Sequence, residues 1–267
     1  ELTAGQVTFV HDGSETITAA FNVNVEDANA DASVPVDSTF NFTVTPVNDP
    51  PAIIGDLTAS LLEAGTYTIL AADLGYTDVD NVDTDILFTT SAAANGKIQV
   101  GGFDALTFTG TELTAGQVTF VHDGSETITA AFNVNVEDAN ADASVPVDST
   151  FNFTVTPAND LPTATNLTST AAYNEGDTSV TLDTIVITDV DTDETITATL
   201  TLNDVNAGVL TTSGTATYTP GATTGVWTIT GTVVNVNAAL AAMTFTPNTN
   251  YDLDTTITTH IEDQAGT

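Results

Sequence analysis

One block of sequence occurs twice in this chain of 267 residues, and that repetition constrains the fold more than any other feature. Residues 1–51 and 112–162 differ only at Val47 against Ala158 and at Pro50 against Leu161. The copies are 111 residues apart, a normal size for one domain. The chain therefore reads as a complete unit at 50–160, preceded at 1–49 by the C-terminal part of another. Residues 161–267 read as a divergent third unit. From Asp49 to Asp78 is 29 residues, as from Asp160 to Asp189. From Phe9 to Glu26 is 17, as from Phe120 to Glu137 and from Phe245 to Glu262. The third unit stops just after its Glu-Asp pair, so it is expected to lack its last strand.

Within each unit the local pattern is that of β structure. Residues 21–25 (Phe-Asn-Val-Asn-Val) and 40–44 (Phe-Asn-Phe-Thr-Val) alternate apolar and polar side chains, the signature of half-buried strands. Residues 195–202 and 226–234 do the same in the third unit. Thr and Val dominate, and their branched side chains suit a pleated surface. Asp12-Gly13 and Asn95-Gly96 mark turns. No sustained helical periodicity with caps is evident. The expected class is all-β, a linear array of tandem Greek-key β-sandwiches of cadherin or immunoglobulin type.

Charge then excludes several functions. The chain carries 36 acidic residues and a single Lys or Arg, a net charge of −35. It has no basic stripe with which to displace counterions from nucleic acid. An anionic membrane surface would repel it, and no window holds the ~20 apolar residues of a spanning helix, so direct membrane insertion is not expected. The absence of Cys removes disulfides, thiolate-bound zinc and thiol catalysis together. At 41% hydrophobic residues the acidity does not mean disorder.

The acids are concentrated rather than scattered. They gather at the Pro- and Asn-containing junctions 45–51 and 156–162, at 78–85, at 189–193, and at 26–31. Aspartates at alternate loop positions can turn successive oxygens toward one centre. Ca²⁺ takes 6–8 such oxygens, and without a cation the carboxylates repel one another. A solvated acidic surface is the plainer alternative. His11, Asp12 and Ser14 are too close in sequence to form a through-space triad, and the His-Asp-Gly segment is expected to be an exposed hairpin turn. Trp227 is expected in a core. Paired carboxylates also occur in glycosidases, but here they lie at domain ends in blocks repeated almost unchanged, so no enzyme is expected.

The junction sequence PVNDPP, the Glu in LLEAG and YNEGD, the TDVD loop and the VEDANAD segment resemble cadherin-like repeats. More narrowly, TFVHDGSE followed by FTVTPVNDPP is similar to the chondroitin-sulfate-proteoglycan type found in giant bacterial surface adhesins. The resemblance implies Ca²⁺ between consecutive domains, held by linker Asn and Asp, a D-x-D loop and a further acid. Carried over, it implies Asn48, Asp49, Asp78, Asp80 and Asp138 at the first junction, and Asn159, Asp160, Asp189, Asp191 and Asp263 at the second. Glu63, Glu175 and Asp193 are further candidate ligands. The linker reads N-D-P-P rather than D-x-N-D-N, and no D-R-E segment exists, a departure from classical cadherins. The implied function is a non-catalytic, extracellular, calcium-stiffened rod within a large bacterial cell-surface protein. Its partners would be Ca²⁺ and neighbouring repeats. The alternative is a self-assembling extracellular filament or matrix in which copies exchange strands or pack laterally.

Overall fold

The computed structural model describes residues 1–27, 34–139, 145–174, 176–191 and 194–264. The chain divides into two compact units, Glu1–Thr156 and Pro157–Thr267.

In the first unit a five-stranded sheet has the order Thr107–Thr109, Leu87–Ala94, Thr129–Glu137, Ser149–Thr156, Thr58–Leu62. Its strands pair antiparallel except the last, which runs parallel to Ser149–Thr156. A four-stranded sheet has the order Thr66–Thr68, Val118–His122, Gly96–Val100, Phe103–Asp104. Strict alternation along Thr129–Glu137 sends Ala130, Phe132, Val134 and Val136 inward. Opposite them, Ser149–Thr156 buries Phe151, Phe153 and Val155. These side chains share one core with Ile69, Phe88 and Ile98. Phe120 and Phe153 stack at 4.3 Å between centroids, Phe132 and Phe151 at 5.2 Å.

Residues 1–49 carry the same side chains in a different setting. Thr18–Val23 and Ser38–Thr43 form an antiparallel pair in the register of their copies, with Phe21 opposite Phe40. Phe21 and Phe40 remain 38% and 53% exposed, whereas Phe132 and Phe151 are fully buried.

The second unit holds a four-stranded antiparallel sheet in the order Thr217–Pro220, Gly225–Gly231, Ile196–Leu202, Ile257–Glu262. A three-stranded sheet has the order Val180–Thr181, Thr244–Pro247, Gly208–Leu210. Trp227 is fully buried in this core, as expected, and its indole N–H donates to the Thr211 carbonyl at 3.0 Å. The all-β class therefore holds, with the strands of each unit arranged in more than one sheet and a buried core in each.

Three local expectations are corrected. The run 226–234 is not one strand: the strand ends at Gly231, and Val233–Ala241 is a helix capped by the Thr232 side chain. It buries Val236, Ala239 and Leu240, an i, i+3, i+4 stripe. A short helix, Gly110–Thr114, begins with a capping box between Thr109 and Glu112. Finally, the His-Asp-Gly segment is not a merely exposed turn, because His122 is buried. Its Nδ1 accepts the N–H groups of Ala64 and Gly124, each at 3.2 Å. Asn95-Gly96 is a turn, but it carries the chain from one sheet to the other rather than closing a hairpin. Asn95 takes φ of 59°, and a Cβ at Gly96 would lie 2.4 Å from the Phe120 ring.

Candidate metal centres

Each unit contains an acidic constellation, and each is built on the same hydrogen-bond scaffold. In the first unit the Asn48 amide donates to Asp138 Oδ2 at 2.8 Å, and the Asp49 N–H donates to Asp80 Oδ2 at 2.8 Å. In the second, the Asn159 amide donates to Asp263 Oδ2 at 2.9 Å, and the Asp160 N–H donates to Asp191 Oδ2 at 2.7 Å. Proline on the junction favours an extended backbone, which lets the junction N–H groups reach a loop.

The D-x-D loop is organised from within. Asp78 Oδ1 accepts the N–H groups of Asp80 and Asn81 at 2.8 and 2.6 Å, an Asx-type turn. Asp189 Oδ1 accepts the Asp191 N–H at 3.0 Å. In both loops the first Asp thus spends one oxygen on the backbone and turns the other elsewhere. Asp78 Oδ2 and Asp189 Oδ2 are buried oxygens without a hydrogen-bond partner, as are Asn81 Oδ1 and Glu194 Oε2. A buried carboxylate oxygen left unpaired is costly, and a cation is the group that would satisfy several at once. Oxygens of Asp189, Glu194 and Asp263 all lie within 4.8 Å of one another.

Two acids absent from the sequence-derived set join these sites. Partial desolvation raises the carboxyl of the exposed Glu15 above its ordinary pKa, with repulsion from Asp80 and Asp49 adding to it. Burial likewise raises that of Glu194, helped by Asp191, Asp263 and Asp189. Glu194 was readable as the next acid after the 189–193 run. Glu15 had no comparable signal, since it stands 34 residues before Asp49 in a segment that reads as a turn.

The other candidates are placed as follows. Asp138 is half-buried and Asp263 buried, each just past the end of a strand. Glu63 is buried after strand Thr58–Leu62, its N–H donating to the Thr156 carbonyl at 2.9 Å. Glu175 and Asp193 lie outside the described residues. Asp83, in the acid-rich loop 78–85, accepts hydrogen bonds from the Tyr76 and Thr114 hydroxyls and so has a structural role.

Residues 51–156 match the family described as Cadherin-like, and the chain is also similar to chondroitin sulfate proteoglycans. Chondroitin sulfate proteoglycan 4 of Homo sapiens is 34% identical over 137 residues, covering 49% of this chain and 6% of that protein. The Mus musculus protein of the same name is 31% identical over the same coverage. The chain thus spans only a small part of these relatives' length.

Proposed function

We propose that this chain is a non-catalytic, extracellular array of β-sandwich repeats, stiffened by Ca²⁺, within a large surface protein. The observation that carries the reading is the repeated scaffold. In both units an Asn amide is tied to a late acid and a junction N–H to a D-x-D aspartate. A buried Asp oxygen is left without a protein partner in each. Asn48, Asp49, Asp78, Asp80 and Asp138 would hold one ion, with Glu15 and Asn81 beside them. Asn159, Asp160, Asp189, Asp191 and Asp263 would hold the other, with Glu194. Glu63, Glu175 and Asp193 stay as further candidates. All supply hard oxygen, the donor set of Ca²⁺.

Each ion would bind the junction segment to the loops of the repeat that follows, removing freedom from the linker. Binding only to the folded state stabilises it by mass action. Affinity of about 10⁻⁴–10⁻³ M suffices outside cells. Cell-surface placement agrees with the proteoglycan and cadherin-like relatives, and a bacterial adhesin stalk agrees with the junction and TFVHDGSE motifs. Among the described residues no helix is long and apolar enough to cross a membrane.

The test is thermal unfolding and small-angle scattering of the chain in millimolar Ca²⁺ and then in excess EDTA. A higher melting temperature and a stiffer particle with Ca²⁺ support the reading. Identical behaviour in both buffers sinks it.

A further inference from the structure

The short strands that lead into the two D-x-D loops align the units residue by residue. Ile53 pairs with Tyr76 in the first unit, and Ala164 with Ile187 in the second. Each residue of the second pair stands 111 positions after its counterpart in the first. By the same step Asp78 corresponds to Asp189, and Asp83 to Glu194. The strand ahead of the loop thus carries a tyrosine in the first unit and an isoleucine in the second. That one exchange changes what the acid at the end of the loop can do.

In the first unit the Tyr76 hydroxyl donates to Asp83 Oδ1, and the Thr114 hydroxyl lies 3.3 Å from Oδ2, within hydrogen-bond reach. The Asp83 carbonyl also accepts the Thr111 N–H at 3.2 Å, so this acid is fixed at its backbone as well. In the second unit Ile187 is buried and has no hydroxyl to offer. Its strand is anchored differently: the Asn237 side chain accepts the Ile187 N–H and donates to the Ile187 carbonyl, each at 2.8 Å. Glu194 is thereby left to the loop. Its Oε2 is buried without a hydrogen-bond partner, as is Asp189 Oδ2. Oxygens of Glu194, Asp189 and Asp263 lie within 4.8 Å of one another. Beside Asp78 in the first loop, the buried unpartnered oxygen is instead the neutral amide oxygen of Asn81.

We infer that the two candidate calcium sites are unequal, the second unit's filling at a lower Ca²⁺ concentration than the first, and that Glu194 sets the difference. This rests on the calcium reading and deepens it. Affinity at an oxygen site rises with the charge and rigidity of its ligands. Glu194 brings a full negative charge on an oxygen held out of water, where attraction to a divalent ion is strongest. The additional acid beside the first site, Glu15, is exposed, so water and salt screen it. Without an ion, Glu194 is also held against the carboxylates of Asp189 and Asp263, a repulsion that a cation relieves. As calcium falls, the first junction is released while the second stays clamped.

The test is a Ca²⁺ titration of the full chain followed at the backbone amide resonances of Asn81 and Asp191. Each of these N–H groups donates to the first Asp of its own loop, so each reports one site. The Asp191 midpoint is expected about tenfold or more below that of Asn81. Glu194→Gln, which keeps the shape and removes the charge, should raise the Asp191 midpoint by about tenfold and leave that of Asn81 unmoved. Asp83→Asn should leave the Asn81 midpoint in place, because hydroxyls and not the ion hold that side chain. If either variant fails to fold, the two midpoints of the unaltered chain still decide. Equal midpoints there overturn the inference and leave the calcium reading standing. So does a Glu194→Gln chain that binds as tightly as the unaltered one, or an Asp83→Asn chain whose first site weakens as much as Glu194→Gln weakens the second. Amides that do not shift even at about 10⁻² M Ca²⁺, well above the range of extracellular sites, refute the calcium reading and this inference together.

Discussion

Asn159 and Asp263, 104 residues apart in the chain, are joined by a 2.9 Å hydrogen bond from the Asn amide to the carboxylate. Asn48 and Asp138, 90 residues apart, make the same bond at 2.8 Å. Each pair brings a junction onto the end of a late strand. Each therefore holds the acids around it in place, which would lower the ordering cost of binding an ion there.

Calcium should raise the melting temperature of both units. One ion at a hundred times its dissociation constant contributes about 2.7 kcal/mol, or roughly 10 °C for a domain of this size. Trp227 is the single Trp and lies in the second unit, so its fluorescence reports that unit alone. Asp189→Asn should abolish the calcium effect on Trp227 emission, while Asp78→Asn should leave it intact. Equal responses in the two variants would contradict separate sites.

Glu15→Gln should change sign with the buffer. Without Ca²⁺ the substitution removes a carboxylate that repels Asp80 and Asp49, so the melting temperature of the first unit rises. With Ca²⁺ it removes a ligand, and the calcium-dependent rise shrinks. A melting temperature lowered in both buffers would assign Glu15 a purely structural role.

Glu15 and Glu194 both have carboxyls raised above the ordinary 4.5. A raised folded-state pKa means the native state holds the proton more tightly, so stability falls as pH rises through that pKa. In EDTA the penalty is complete well above the folded pKa and is relieved as pH drops toward 4.5. The lowered carboxyls of Asp12, Asp104, Asp123 and Asp204 act in the opposite sense, and their stabilisation is lost only as pH falls further, below 3.8. The ion-free melting temperature should therefore rise as pH falls from neutrality toward 4.5, while the added effect of Ca²⁺ declines as protons compete. Calorimetry across that range in both buffers checks the sign.

The two copies of the repeat supply their own controls. His122→Ala strands two backbone N–H groups and should cost about 2–4 kcal/mol in urea unfolding. His11→Ala affects one such donor, Gly13, and should cost less.

Phe151→Ala should cost about 3–5 kcal/mol, because the ring is fully buried. Phe40→Ala, in the identical local sequence, should cost about 0.5 kcal/mol or less in the isolated chain. A comparable loss at Phe40 would show that its face is covered in solution.

The strands were legible because their information is local. Alternation at Phe132, Val134 and Val136 places one face inward whatever the partner, and the 111-residue recurrence marks the unit. The helix Val233–Ala241 was not, since its Val and Asn residues favour strands or turns by intrinsic propensity. Burial of Val236, Ala239 and Leu240 outweighs that small preference. The same limit applies to His122. Its sequence neighbours read as a turn, and only folding brings the Ala64 N–H from 58 residues away onto its Nδ1.

The sequence by itself determined the β class, the period and most of the acids at the candidate sites, because composition, alternation and spacing are properties of contiguous residues. Tertiary structure alone decided two things: that Glu15 and Glu194 converge on those sites, and that one aspartate oxygen in each loop is buried without a partner. Burial and electrostatic repulsion depend on what lies within a few ångströms in space, which residues distant in sequence supply only on folding.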